Sequence, residues 1–310
     1  MSIKPIAIYY EHPEWFKPLF AALDRRGVSY DKLHVRSHTF DPAVTQSPYS
    51  LIVNRVSAFP SGGSPLQIIW YAQHYLAYLH RIGANVINGY HSFLVATSKA
   101  DQLTIFEQLG LRYPKARVIH QPAQAVTAAG LNFPLLVKPN IGGSGVGIQK
   151  FESMAELEQA VSSGLIDLGV DRTALVQEHL PAKDKFIVRI EILNGDFLYG
   201  LRVPITGHSF NYCPADGCNI DNPGLPMENY TPPAEVIAQA KQILAASQSD
   251  LGGVEYLVNE ADGQIYFYDI NPLSNFVANA LEIIGFDPTE RLVDFILARQ
   301  RDTDRSRTYK

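Results

Sequence analysis

The chain has 310 residues, 46% of them hydrophobic, with 31 acidic against 26 basic side chains and a net charge of -5. That length suffices for two or three compact domains, and the acidic balance argues against a general nucleic-acid surface. No apolar run approaches the roughly 18 residues of a membrane span, and the first residues offer too short an apolar run for a signal peptide, so a cytoplasmic protein without membrane or nucleic-acid partners is expected.

In chain order, residues 3–10 read as a buried strand, residues 14–26 as a helix stopped by Gly27, and residues 30–35 and 50–56 as strands. A helix over 66–81 ending at Gly83 and a short strand over 84–87 follow. Strands and helices alternating at this spacing predict a small parallel α/β domain. The loop after its first strand, EHPEW, lacks a glycine fingerprint and so does not suit a dinucleotide. Ligands of such sheets sit at the carboxyl ends of strands, which nominates Glu11, His12, Asn54 and Arg55, each of which is also explained by ordinary loop polarity.

Ser98 and Asp101 resemble a capping box opening a helix whose Leu103, Phe106 and Leu109 form the buried stripe. Lys99 lies in its first turn, where the helix dipole disfavours a cation. Two readings stand: its charge serves an anion elsewhere, or it is a solvated surface lysine.

The most informative stretch is FPLLVKPNIGGSGVGIQKF, Phe133 to Phe151. An apolar run ends in Lys138, a loop carries Gly142, Gly143, Ser144, Gly145 and Gly147, and a second strand follows. Walker and Rossmann loops both run into a helix. Here the glycines join two strands, so the loop reads as a flap at a hairpin tip whose backbone N–H groups suit phosphate oxygens, with Lys138 adding a point charge. The bland alternative is a mobile hairpin without a ligand.

Ser153 and Glu156 cap a further helix, and residues 175–180 form a strand ended by Pro181. Residues 185–193 and 197–203 alternate as strands around Asn194, Gly195 and Asp196, a hairpin signal. With either two-residue turn, Arg189 and Arg202 fall on one sheet face, where like charges call for an anion between them. Residues 204–233, rich in Pro, Gly and Asn, are too long for a simple connector. They hold both cysteines, Cys213 and Cys218, read as reduced loop thiols.

A helix from Pro233 to about Gln248 precedes two strands, GGVEYLV and QIYFYDIN, joined by NEADG. Asp269 and Asn271, two apart, leave the same face. Glu255 joins them only if the loop has an odd number of residues, for example Ala261, Asp262 and Gly263 with the glycine left-handed. Two carboxylates and an amide suit Mg²⁺, which is usually completed by substrate phosphates. A polar strand end with no metal is the competing reading.

At this point the sequence resembles the ATP-grasp superfamily, and within it the branch of glutathione synthetase and the ribosomal-protein glutamate ligases. The resemblance runs from about Leu79 to Ala298, carried by LHRIGANVINGYHSFLVATSKADQLTIFEQLG, PLLVKPNIGGSGVGI, LVQEHL, FIVRIEIL, GGVEYLV and YDINP. It implies a mixed α/β and α+β fold: a parallel domain over 1–92, a lid subdomain over 93–176 and a metal-bearing subdomain over 177–300; the charged residues 301–310, RDTDRSRTYK, read from their composition as a solvated tail. By resemblance, ATP would bind Lys138 and the loop from Gly142 to Gly147, with Gln177, Glu178, His179 and Leu180 as the adenine hinge. Glu255, Asp269 and Asn271 would hold Mg²⁺, or Mn²⁺, and Arg189, Arg202 and Lys138 would stabilise phosphoryl transfer.

The family's usual Asp-Lys after Ser98 is Asp101-Gln102 here, so either Lys99 substitutes or the contact is lost; its usual bridging glutamate is Asp269. The implied reaction is carboxylate–amine ligation through an acyl phosphate. Phosphate transfer without ligation and a non-catalytic ATP-binding regulator are the alternatives. Arg55, Asn211, Tyr212 and Asn275 are candidates for the carboxylate or amine substrate, an amino acid or a peptide, and family habit suggests a homo-oligomer.

Overall fold

The structure, a computed structural model, describes residues 4–12, 14–59, 66–128, 130–205 and 227–308, with side chains to 301. Asn211, Tyr212, Cys213 and Cys218 lie outside the described residues.

The first sheet is parallel throughout, in the order β2-β1-β3-β4, from β1 (Ile6–Tyr10), β2 (Tyr30–His34), β3 (Leu51–Arg55) and β4 (Val86–Ile87). Its strands β1 and β3 are buried along almost their whole length because both faces are covered, with the polar Asn54 and Arg55 at the carboxyl end of β3. Helix α1 (Lys17–Arg25) packs on one side and α2 (Gln67–Arg81) on the other.

Helices α3 (Tyr90–Ala96) and α4 (Lys99–Gln108) lead to a second, antiparallel sheet in the order β5-β8-β6-β7. It comprises β5 (Ala116–Ile119), β6 (Leu135–Pro139), β7 (Gln149–Phe151) and β8 (Ala174–Glu178), with α5 (Met154–Ser162) on its core. Ser98 accepts from the Asp101 N–H at 3.2 Å, so the expected cap forms.

The third sheet is antiparallel, β11-β10-β9-β12-β13. It is built from β9 (Phe186–Leu193), β10 (Asp196–Pro204), β11 (Glu228–Asn229), β12 (Leu251–Val258) and β13 (Ile265–Asn271). One face packs on α4 and α6 (Ala234–Ala246), through Val188, Ile190, Val254 and Phe267. The other shares a core with α1, the first sheet and α8 (Pro288–Thr308), which follows the short α7 (Ala280–Ile283). Salt bridges Arg25–Glu290 at 2.6 Å and Arg26–Asp294 at 2.9 Å lock α1 to α8.

Two sequence expectations are corrected here. The stretch read as a solvated tail continues α8 to Thr308: buried Leu292, Val293 and Ile296 anchor the helix, and neither Pro nor Gly interrupts it afterwards. The facing-arginine expectation also fails. The turn is Asn194-Gly195, both residues left-handed, as a two-residue hairpin requires. A bulge at Leu198 then shifts the register, since Phe197 pairs Ile192 but Tyr199 pairs Glu191. Arg189 therefore faces Leu201, and Arg202 projects from the opposite face, between the rings of Phe186 and Tyr230 at 4.8 and 4.1 Å.

No helix among the described residues is long and apolar enough to cross a membrane.

Candidate active site

A cavity of about 760 Å³ opens between the second and third sheets. The β6–β7 hairpin supplies one wall, with Leu135 paired to Phe151 and the glycine loop at its tip, the strand–loop–strand arrangement read from sequence. Gly142, Gly143, Ser144 and Gly145 line the cavity, whereas Gly147 packs outside them against Pro139. Gly147 has φ +77°, and a Cβ there would come within 2.8 Å of the proline ring, so glycine is required for the hairpin to close. A Cβ on Gly143 would run into the ring of Phe59, which reaches across from the first domain. Gly143→Ala is expected to weaken ATP binding about tenfold, with Phe59→Leu in the same chain recovering most of it, because the two side chains contest one space. Calorimetric titration of the single and double variants checks this.

On the floor, Lys138 ends β6 with only 5% of its surface exposed. Burial, with the Lys99 charge beside it, pulls its ammonium down to about 7, against the opposing pull of Asp269 and Glu255. Lys99 enters from the first turn of α4 and pairs with Asp269 Oδ1 at 2.8 Å, so of the two readings the structure shows the paired one. Gln102 does not reach the cavity lining: its Nε2 donates to the Ile270 and Val95 carbonyls and its Oε1 accepts from the Ile270 N–H, clamping α4 to β13 as a further strand would.

Glu255, Asp269 and Asn271 converge as expected, but by a different device. The hairpin loop runs through four residues, 260–263, inside the Asn259–Gln264 bond, which by parity alone would turn Glu255 away. Gly263 is left-handed as expected, with φ +67°. The missing residue is a bulge at Tyr268: Tyr256 pairs Phe267, while Glu255 pairs Asp269. The Asn271 amide then lies 2.9 Å from Asp269 Oδ2 and 3.3 Å from Glu255 Oε1. Burial works against ionisation of Asp269, but Lys99, Lys138 and the Asn271 amide together outweigh it and hold the carboxyl below its ordinary value. Burial raises Glu255, Asp269 raises it further, and Arg189 pulls the other way.

Arg189 is fixed on three sides: Nε donates to Glu191 Oε1 at 2.6 Å, Nη1 to Glu255 Oε1 at 2.9 Å and Nη2 to Ser274 Oγ at 3.3 Å. Burial would lower it, but Glu191 and Glu255 more than reverse that and hold it above its ordinary value. Its countercharge is thus internal, and Arg202 plays no part in it. Gly253 leaves the room, since a Cβ there would meet the guanidinium at 2.6 Å. Glu191, fully buried, and Ser274 were missed in the sequence; a lone glutamate within the apolar run FIVRIEIL was the available signal. Arg202→Met is expected to leave turnover within about twofold and to cost about 1–2 kcal/mol of stability, the scale of two cation–π contacts. Steady-state kinetics beside denaturant unfolding reads both.

The residues present suit a magnesium nucleotide. Gln177 lines the cavity with its Oε1 buried and without a partner, an acceptor ready for an amine such as that of adenine. Glu178, His179 and Leu180 line the same wall, and Leu180 donates to no backbone acceptor among the described residues, leaving its N–H for a ring nitrogen. Two carboxylates and an amide are all-oxygen ligands once the amide turns its oxygen inward. Among the described residues no group of three or more His, Cys, Asp or Glu is placed to hold a metal ion by itself. Asn275 borders this cavity, and Arg55 lies behind it against a second one.

The family described as "D-ala D-ala ligase C-terminus" matches residues 99–214. A D-alanine–D-alanine ligase of Heliobacterium modesticaldum is 27% identical over 194 residues, 57% of this chain and 50% of that one, so the chain spans about half the length of that relative. The solved RimK domain ATP-grasp protein of Sphaerobacter thermophilus superposes with a TM-score of 0.68 at 19% identity, covering 94% of this chain and 98% of the other. The ATP-grasp ligase PsnB, complexed with a precursor variant, Mg and ADP, superposes with a TM-score of 0.66 at 16% identity, covering 96% and 100%. The chain therefore has the fold of these ATP-grasp structures, and its residues 99–214 match the D-ala D-ala ligase C-terminus family.

Proposed function

We propose that the chain is an ATP-dependent carboxylate–amine ligase of the branch containing glutathione synthetase and the ribosomal-protein glutamate ligases, joining an amino acid or peptide carboxylate to an amine. The observation that carries this reading is that one cavity gathers the glycine flap, two lysines and the Glu255–Asp269–Asn271 set. When bound, ATP supplies the phosphoryl group that activates the carboxylate, and Mg²⁺ or Mn²⁺ offsets the phosphate charge.

This chain's residues bind, orient and exclude water. Lys138 and Lys99 hold phosphate oxygens, with Gly142, Gly143, Ser144 and Gly145 offering backbone N–H groups above them. Gln177, Glu178, His179 and Leu180 clasp the adenine. Glu255, Asp269 and Asn271 would hold the metal, and Arg189 fixes Glu255 while the second N–H of Nη2, beyond the one given to Ser274 Oγ, would serve the oxygen on which charge develops. Closing the flap shields the activated carboxylate from water. No side chain need act as a covalent nucleophile.

The test is ADP release with Mg-ATP across amino acids and dipeptides, with mass spectrometry of products. Amine-dependent ADP together with a new amide mass is expected. ATP binding with no ADP from any pair would contradict ligation and favour a regulatory ATP-binding role.

A further inference from the structure

A second cavity, about 940 Å³, lies against the first domain and shares Trp15, Asn275 and Phe276 with the first. It sits at the carboxyl ends of β1 and β3, where open parallel sheets place ligands. Its depth holds Arg55, only 3% exposed, over the ring of Phe16 at 5.1 Å. One nitrogen, Nη2, donates to the Ser274 carbonyl at 2.5 Å and to Asn275 Oδ1 at 3.2 Å. Nε and Nη1 are buried with no acceptor, and so is Nδ1 of His12, whose ring stacks on Trp15 in the same cavity. Buried unpartnered donors on a cation carry a large desolvation cost unless an anion joins them. Glu191 is the nearby internal countercharge: one oxygen is bonded to Arg189, and the other is buried without a hydrogen bond to Arg55 or any other group among the described residues, so it leaves both Arg55 donors open. The acidic lining residues Glu14 and Glu282 are exposed and sit at the rim, and Asp287 caps the Thr289 N–H.

We propose that the second cavity binds a substrate carboxylate that is not the one activated, held by Arg55 and His12. Resting on the ligase reading above, this assigns the second cavity to a free carboxyl group, either the α-carboxylate of an amino acid amine donor or a side-chain carboxylate of an acidic substrate. Trp15, Phe16, Leu19 and Leu292 give the rest of that substrate an apolar wall. Asn275, between the cavities, releases Arg55 Nη2 as the ligand takes its place.

The experiment is calorimetric titration of the full chain, without ATP, with amino acids and dipeptides and with the carboxamide of each carboxyl group in turn. Wild type is expected to bind at least one free acid about 10- to 100-fold more tightly than its amide, the scale of a charge-assisted hydrogen bond. The position whose amidation weakens binding tells α-carboxylate from side-chain carboxylate. Arg55→Gln is expected to abolish that preference and leave amide binding unchanged, Arg55→Lys to restore part of it, and His12→Phe to reduce it severalfold. Equal affinity for every acid and its amide in wild type would overturn the proposal, as would an equal loss of both forms in Arg55→Gln. Because binding is read without turnover, absence of amide formation would remove the ligase reading while leaving this result to stand or fall alone.

Discussion

Asp269→Ala is expected to lower amine-dependent ADP release by about 10³-fold or more, the scale seen when a group facing developing charge is removed. The same substitution has an opposite effect on a second quantity. Asp269 is the 2.8 Å partner of Lys99 and one of two carboxylates opposing the loss of charge on Lys138. Without it, the two ammonium groups meet ATP phosphates with Glu255 as the nearest opposing charge. Metal-free ATP, titrated in EDTA, is therefore expected to bind about tenfold more tightly to the variant than to wild type. Tighter metal-free binding with lost turnover separates a metal ligand from a merely structural acid, whose removal would weaken both.

The second large effect concerns Lys138 and has its sign fixed by linkage. In the unfolded chain this lysine keeps its proton up to its ordinary value of 10.5, whereas in the ligand-free fold it gives it up near 7. Between those values the unfolded state binds more protons, so stability rises with pH across that window; below about 7 both states are protonated and the full cost of burying the charge is paid. Lys138→Met removes that cost. In EDTA and without nucleotide the variant is expected to be more stable than wild type at pH 6.5, by about 3–5 kcal/mol and roughly 5 °C or more in Tm. The gap should close toward pH 10, and ADP release should fall about 10²- to 10³-fold at every pH. Thermal unfolding across pH reads the first part. A variant less stable than wild type at pH 6.5 would mean that Lys138 is satisfied in the free protein rather than held in reserve for phosphate.

The parts of the site written in local sequence were readable before the structure. The glycines between two strands, the Ser98 cap and the Asp269-Asn271 spacing each depend on backbone rules acting over a few residues. Register was not readable. Bulges at Leu198 and Tyr268 each insert one residue into a ladder, and each reverses which side chains share a face. The first sends Arg202 to the far side; the second brings Glu255 to Asp269, for which the sequence credited the turn. Neither bulge carries a glycine or proline to announce it. Long-range partners were equally hidden. Nothing near Lys99 names Asp269, 170 residues away, and nothing near Arg55 names Ser274, 219 residues away. The extension of α8 was missed for a different reason: charged composition alone was read as solvated chain, although charged residues continue a helix well once an apolar stripe has started it.

The ligation claim is tested most directly by following oxygen. With the carboxylate substrate carrying ¹⁸O in both positions, together with Mg-ATP and the amine, the proposed chemistry transfers one ¹⁸O to the released inorganic phosphate and leaves the other in the amide. Mass spectrometry of phosphate and product decides it. One label in each is the expected result; ADP formed while both labels stay in the unreacted acid, or inorganic phosphate released without label, would contradict it.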